Sequence, residues 1–416
     1  MQNLRIAASL LMLFLCSPAF GATKAIKFGR LVDGTGRVLT NAIVIVDNDR
    51  IAAVTTAASS IPAGADIIDL SRYSGIPGMI DAHTHMTYGP DPLTRGSRTA
   101  TVNMILAEDA LKKTLESGVT TVRDMNASEY VDVAMRDLIN MGHWIGPRML
   151  VVGCGLRAQR SKFGTPLQCG EGNGPVEFER AARQQLAAGV DWIKIFGSTG
   201  SGQDVTGFQT VMYDEMKAAV DVVHAMGKKV AVHSYGASGG RDAIRAGADS
   251  LEHATDMDDE TIAEMVRKNV YYVPTIDHNR YYYDNAEAFH YRSGAKEELT
   301  DFISRNLETT KKAFKAGAQI VMGSDAIYTM FGQNTRELGW FVKAGMTPEQ
   351  ALASATTTPA KMLSMEKQIG AVAPGFYADI VAVEGDPLAD VNVIINNVKW
   401  VMRGGAVVVD KTRPGR

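Results

Sequence analysis

The sequence predicts an α/β protein: a (β/α)8 TIM barrel with a small β-sandwich domain formed from the N- and C-terminal segments. Three observations point there. The middle of the chain alternates short apolar runs with helical stretches, the rhythm of βα units around a parallel sheet. Both ends of the mature chain are β-rich, and each alone is too small to bury a core. No Gly-x-Gly-x-x-Gly follows the first strand of the alternating region, which disfavours a doubly wound open sheet.

Length and composition fit this division. A chain of 416 residues can bury one large core or a core plus a satellite domain. Apolar residues make up 45% and charged residues 21%, as in ordinary globular proteins. The net charge is -3 with no Lys/Arg-rich block, which argues against nucleic acid as a partner.

Residues 1–21 read as a secretory signal. Arg5 precedes an uncharged apolar stretch from Ile6 to Cys16, followed by Ser17-Pro-Ala-Phe-Gly21 with small residues at Ala19 and Gly21. The apolar run is shorter than the roughly 20 residues a membrane span needs, so no stable membrane anchor is expected. Leu15 stands before Cys16 where lipoprotein signals carry a small residue. The mature protein is therefore expected in the periplasm or outside the cell. Its two cysteines, Cys154 and Cys169, are either a disulfide closing a short loop or two separate thiols.

The expected division is 22–77 and 371–416 for the sandwich and 78–370 for the barrel. Ala42-Ile-Val-Ile-Val46 and Arg50-Ile-Ala-Ala-Val54 flank Asp47-Asn-Asp49 in a hairpin-like pattern. Strand-like runs at 378–383, 393–395, 398–402 and 406–409 give the other end the same character. Eight strand candidates lie between, at 78–82, 120–123, 148–152, 192–196, 229–232, 250–252, 270–273 and 319–322. Helical spacers separate most of them, as at 177–188 and 213–226.

Metal-binding residue types gather at the ends of these strands. His83 and His85, two apart in an extended segment, point the same way and can chelate one ion. Lys194, between Ile193 and Ile195 in a strand buried on both faces, is costly unless its charge is paired or removed. It is either half of a buried salt bridge or a neutral amine carboxylated by carbon dioxide, a product suited to bridging two cations. His233, His253 and Asp325 follow strands five, six and eight. A single histidine is more often packing than ligand, but barrel enzymes place their chemistry at the C-terminal ends of strands, where all six residues fall. His143, His224, His278 and His290 read as packing or surface residues.

Pro77-Gly-Met-Ile-Asp-Ala-His-Thr-His85 resembles the opening motif of the amidohydrolase superfamily, with Lys194, His233, His253 and Asp325 in the order of its binuclear members. Ala355-Thr-Thr-Thr-Pro-Ala-Lys361 and Gly375-Phe-Tyr-Ala-Asp-Ile-Val-Ala-Val-Glu-Gly-Asp-Pro-Leu388 resemble its closing segment, so the likeness covers nearly the whole mature chain. Val232-His-Ser-Tyr-Gly236 and Ser250-Leu-Glu-His-Ala254 look like the prolidase-like or imidazolonepropionase-like branch, which is similar to Xaa-amino-acid dipeptidases and ochratoxin-cleaving amidohydrolases. One stretch departs: many relatives carry Gly-Gly-His after strand three, and here Gly153-Cys-Gly-Leu-Arg-Ala-Gln-Arg-Ser-Lys162 stands instead.

The resemblance implies two divalent metals. His83, His85 and Asp325 would hold one, His233 and His253 the other, and N6-carboxylated Lys194 would bridge them. Ligands of this kind without thiolate suit Zn²⁺, with Mn²⁺, Co²⁺ or Fe²⁺ as alternatives. Water between two cations would supply hydroxide, one metal would polarise the scissile carbonyl, and Asp325 would carry the proton to the leaving amine. Tyr235, two residues past His233 and on the same side of the strand, either donates to the carbonyl oxygen or packs.

Two loops, 197–202 and 275–283, are expected to shape the pocket. Arg157, Arg160 and Arg280 are either carboxylate partners or surface residues. The expected activity is hydrolysis of a dipeptide or N-acyl amino acid, including aromatic amides such as ochratoxin, by a homo-oligomer. The alternatives are a cyclic-amide hydrolase of imidazolonepropionase or hydantoinase type, and a barrel that has lost its chemistry. The last should lack a metal ligand, and none is missing.

Overall fold

The computed structural model describes residues 23–89, 93, 98–160 and 167–413, so the signal read at 1–21 lies outside it. Aliphatic residues open the chain as Lys24–Val32 (β1), Val38–Asp47 (β2), Arg50–Thr55 (β3) and Asp66–Pro77 (β4). β1 pairs antiparallel with β2 and parallel with β4, and β2 turns into β3 at Asn48, where φ is 54°.

β4 leads directly into the barrel. Met79–Thr84 (β5), Val119–Asp124 (β6) and Arg148–Val151 (β7) form one parallel ladder. Arg157–Ala158 (β8) and Glu171–Gly172 (β9) make a two-residue parallel ribbon beside it. Trp192–Phe196 (β10), Lys229–Ser234 (β11), Ser250–His253 (β12) and Tyr271–Val273 (β13) form the second ladder.

Single hydrogen bonds join the two ladders into a ring. On one side Asp191 N donates to Val151 O at 2.8 Å and Leu156 N to Lys194 O at 2.7 Å. On the other, Tyr272 N donates to Gln319 O at 3.0 Å, Ala82 N to Met322 O at 2.9 Å and Asp325 N to His83 O at 2.7 Å. The eighth position, expected as a strand at 319–322, is thus filled by an irregular segment that pairs through the isolated bridges Tyr272↔Ile320 and Thr84↔Ala326. Asp325 at its end has a left-handed φ of 52°, which ends any extended run.

The chain then returns to the first sheet with Ile380–Val383 (β14), Val398–Arg403 (β15) and Ala406–Asp410 (β16), giving the order β16-β15-β14-β4-β1-β2-β3. This sheet folds over on itself as a sandwich. A Cβ on Gly405, in the β15–β16 turn, would lie 1.9 Å from Asn48 O in the β2–β3 turn, so turns at opposite ends of the strand order touch. Ile26, Phe28, Val44, Ile51, Trp400 and Met402 share the core so formed. Residues 393–395, read as a strand, lie in the helix Val391–Asn396 behind the Asp390 cap. Three apolar residues are too few to separate the two periods.

Helices cover the barrel as their apolar spacing requires. Gly174–Ala187 buries Phe178, Ala181 and Ala182, and Tyr213–Ala225 buries Met216, Ala219, Val220 and Val223. Among the described residues no helix is long and apolar enough to cross a membrane.

Candidate active site

The strand ends converge on a cavity of about 280 Å³ lined by His83, His85, Lys194, His233, Tyr235, His253 and Asp325. All seven residues singled out in the sequence therefore meet. His85 Nε2 lies 3.1 Å and His83 Nε2 3.6 Å from Asp325 Oδ1, and Lys194 Nζ lies 3.5 Å from His83 Nε2. The His233 and His253 rings stand edge to face, 4.5 Å apart. His83, His253 and Asp325 bring one potential ligand atom each within 4.8 Å of one another.

Buried partners fix these side chains. Glu252 Oε2 is 2.7 Å from His83 Nδ1, while its Oε1 accepts from Arg123 Nη2 at 2.8 Å and Ser250 Oγ at 2.6 Å. Thr275 Oγ1 is 2.6 Å from His253 Nδ1. A carboxylate or hydroxyl that takes the N–H of one ring nitrogen leaves a lone pair on the other, the usual arrangement behind metal-binding histidines. His253, Thr275 and Asp325 all have positive φ, at 72°, 52° and 52°, strain that clusters where a site dictates side-chain direction.

Burial also sets the charge states. Desolvation pushes His83, His233 and His253 far below the usual imidazole range, so near neutral pH they present lone pairs rather than cations. The same effect lowers the Lys194 amine to about 8. Among the described residues its hydrogen-bonding contact is His83 and no carboxylate pairs with it, so the structure does not show the buried salt bridge that was one of the two readings of this lysine.

The rest of the pocket corrects several expectations. Residues 275–283 are not a loop; Ile276–Asp284 is a helix, and it delivers His278 and Tyr282 to the cavity one turn apart. His278, read as packing, has its Nε2 3.3 Å from Asp325 Oδ2. Its position just past strand seven was the available signal, but a lone histidine in a helical or loop context reads as packing. Arg280 faces away, pairing with Asp277 and Asp284 along its own helix. Glu252 was overlooked because an acid inside a strand gives no motif of its own.

Tyr235 is buried, stacks on His233 with centroids 5.2 Å apart, and its hydroxyl donates to Asn279 Oδ1 at 3.3 Å. The 197–202 loop crosses its ring so closely that a Cβ on Gly200, at φ 120°, would lie 2.3 Å from Tyr235 Cγ. Arg157 and Arg160 line the cavity, and Cys154 and Cys169 form a disulfide.

Neutral imidazoles, a desolvated amine and a carboxylate at the C-terminal mouth of a barrel define a metal-dependent hydrolase. Residues 76–408 match the model of the amidohydrolase family, and the chain belongs to that family. It is a hydrolase acting on amide bonds. The ochratoxinase of Aspergillus niger is 30% identical over 416 residues, covering 91% of this chain and 85% of that protein. The structure of an Xaa-Pro dipeptidase with bound methionine is similar at TM-score 0.84 and 30% identity, covering 93% of this chain and 99% of the other. A prolidase complexed with N-methylphosphonate-L-proline is similar at TM-score 0.86 and 25% identity, covering 94% and 100%.

Proposed function

We propose that the protein hydrolyses the amide bond of a dipeptide or N-acyl amino acid, aromatic amides included, using two divalent cations, with Zn²⁺ the expected ion. The observation that carries this reading is the convergence of His83, His253 and Asp325 to within 4.8 Å, with one ring nitrogen of each histidine held by a buried partner. Likeness to a dipeptidase, a prolidase and an ochratoxinase over nearly the whole chain supports the substrate class. The disulfide and the signal-like residues 1–21 support a periplasmic or secreted setting.

The donor set fits such ions, being nitrogen and carboxylate oxygen without thiolate. His83, His85 and Asp325 would hold one cation and His233 and His253 the other. Lys194 would sit between them as a carbamate, its neutral amine adding to carbon dioxide with loss of one proton. Bound there, divalent cations supply acidification of water and polarisation of a carbonyl.

The chain's own groups do the rest. Asp325 takes the proton from the attacking water as the new C–O bond forms, and returns it to the nitrogen as the C–N bond breaks. Tyr235, held between His233 and Phe302, would turn its hydroxyl from Asn279 Oδ1 to the developing oxyanion. The loop 197–202 and the helix Ile276–Asp284 wall the site from bulk water.

The test is a measurement of metal content with a screen of dipeptides, N-acyl amino acids and cyclic amides, run beside Lys194→Ala. Turnover of the first two classes by the metal-loaded wild type, lost in the variant, is expected. Turnover of cyclic amides alone would replace this reading with the cyclic-amide one.

A further inference from the structure

The strand-three loop departs from its relatives' pattern, and the structure gives the departure a shape. Arg157 N donates to Gly170 O at 2.9 Å, and β8 pairs with β9 at Arg157↔Glu171. The Cys154–Cys169 disulfide ties the same ribbon at its base. Gln185 grips both ends, accepting from Cys154 N at 2.9 Å and reaching Cys169 Sγ at 3.7 Å. The two described arms of the segment, 154–158 and 169–172, are therefore fastened at several points.

Its arginine is equally fixed. Arg157 Nε donates to Gly155 O at 3.2 Å, its Nη2 donates to Asn126 Oδ1 at 3.0 Å, and its guanidinium stacks 4.5 Å above the Phe196 ring. Phe196 also packs on His233, with centroids 5.7 Å apart, and lies 5.4 Å from Lys194 Nζ. One aromatic ring thus separates the guanidinium from the candidate ligands, and both face the same cavity. A planar cation held on an aromatic face has lost its rotamer freedom before a ligand arrives, which suits it to a carboxylate.

We propose that Arg157 anchors the free carboxylate of the substrate, so that the enzyme selects amides whose leaving group is an α-amino acid. Arg160, exposed at the mouth of the same cavity, adds positive charge that draws such anions in. This rests on the amide-hydrolase reading and names the half of the substrate that the site grips.

The probes are N-benzoylglycyl-L-phenylalanine and its C-terminal carboxamide, with binding measured by calorimetry and turnover alongside, in wild type, Arg157→Met and Arg157→Lys. Wild type should prefer the acid. Arg157→Met should weaken the acid roughly 100-fold, mainly in KM, and the carboxamide less than about threefold, while Arg157→Lys recovers part of the loss. Equal weakening of both probes, or none, overturns the anchor. A wild type that hydrolyses amides yet treats acid and carboxamide alike also overturns it and leaves the amide-hydrolase reading standing. Acid-selective binding that depends on Arg157, without turnover of any amide, supports the anchor and fails that reading instead.

Discussion

Glu252 Oε2 lies 2.7 Å from His83 Nδ1, and the residue that follows Glu252 is His253. One strand thus orients an imidazole from across the barrel and supplies the next one itself. Glu252 also neutralises Arg123, which is buried with its Nε on Ala82 O at 2.7 Å, inside the strand that carries His83. Glu252→Gln is expected to lower metal affinity roughly 10- to 100-fold by freeing the His83 ring. Leaving Arg123 without its counter-ion should cost about 3–5 kcal/mol of stability. Chelator competition and urea denaturation read the two effects separately, and unchanged affinity would mean that His83 needs no orienting partner.

His278 contacts Asp325 on the oxygen that His85 does not approach, at 3.3 Å against 3.1 Å. It therefore steadies the carboxylate proposed to move the proton. His278→Ala should lower kcat roughly 10- to 100-fold, the size of effect that losing an orienting partner has, with metal content unchanged by elemental analysis. Loss of metal in the variant would make His278 a ligand instead.

Lys194 gives a dependence on pH. Its amine is lowered to about 8 by burial, so the neutral, carbon-dioxide-reactive fraction grows as pH rises through that value. At constant dissolved carbon dioxide, reactivation of metal-free protein by Zn²⁺ should be roughly 20-fold faster at pH 8.5 than at pH 6.5, as the neutral fraction of the amine dictates. A rate independent of pH and of carbon dioxide would argue against the carbamate.

The site was legible in sequence because its chemistry is concentrated: His83, His85, Lys194, His233, His253 and Asp325 are polar residues in or just after the short apolar runs of the barrel. What supports it was harder to see. Glu252 and Arg123 sit inside β12 and β6, where a single charge marks no spacing, and they find each other only across the closed barrel. His278 was hidden by the segment's secondary structure: the Thr275 hydroxyl is taken by His253 and does not cap the helix, and Glu337 from elsewhere in the chain accepts from Ile276 N and Asp277 N instead. The sandwich strands followed from alternation, whereas the short Val391–Asn396 helix offered too few residues to fix its period.

That remote cap is itself testable. Burial raises the Glu337 carboxyl to about 8 from an ordinary value of 4.5. The folded chain thus holds its proton more tightly than the unfolded chain does. Stability is fully present below about pH 4.5 and is lost progressively as pH rises through about 8, on the order of several kcal/mol in all. Glu337→Gln, which cannot ionise, should flatten this fall in urea-denaturation profiles. Parallel profiles for the two proteins would show that Glu337 folds already ionised.

Titration of metal-free wild type with Zn²⁺ in bicarbonate buffer, following hydrolysis of a dipeptide or N-acyl amino acid, tests the binuclear hydrolase most directly. Activity should rise to its maximum at two equivalents per chain and stay near background in Lys194→Ala. Full activity in chelated, metal-free wild type would contradict the account.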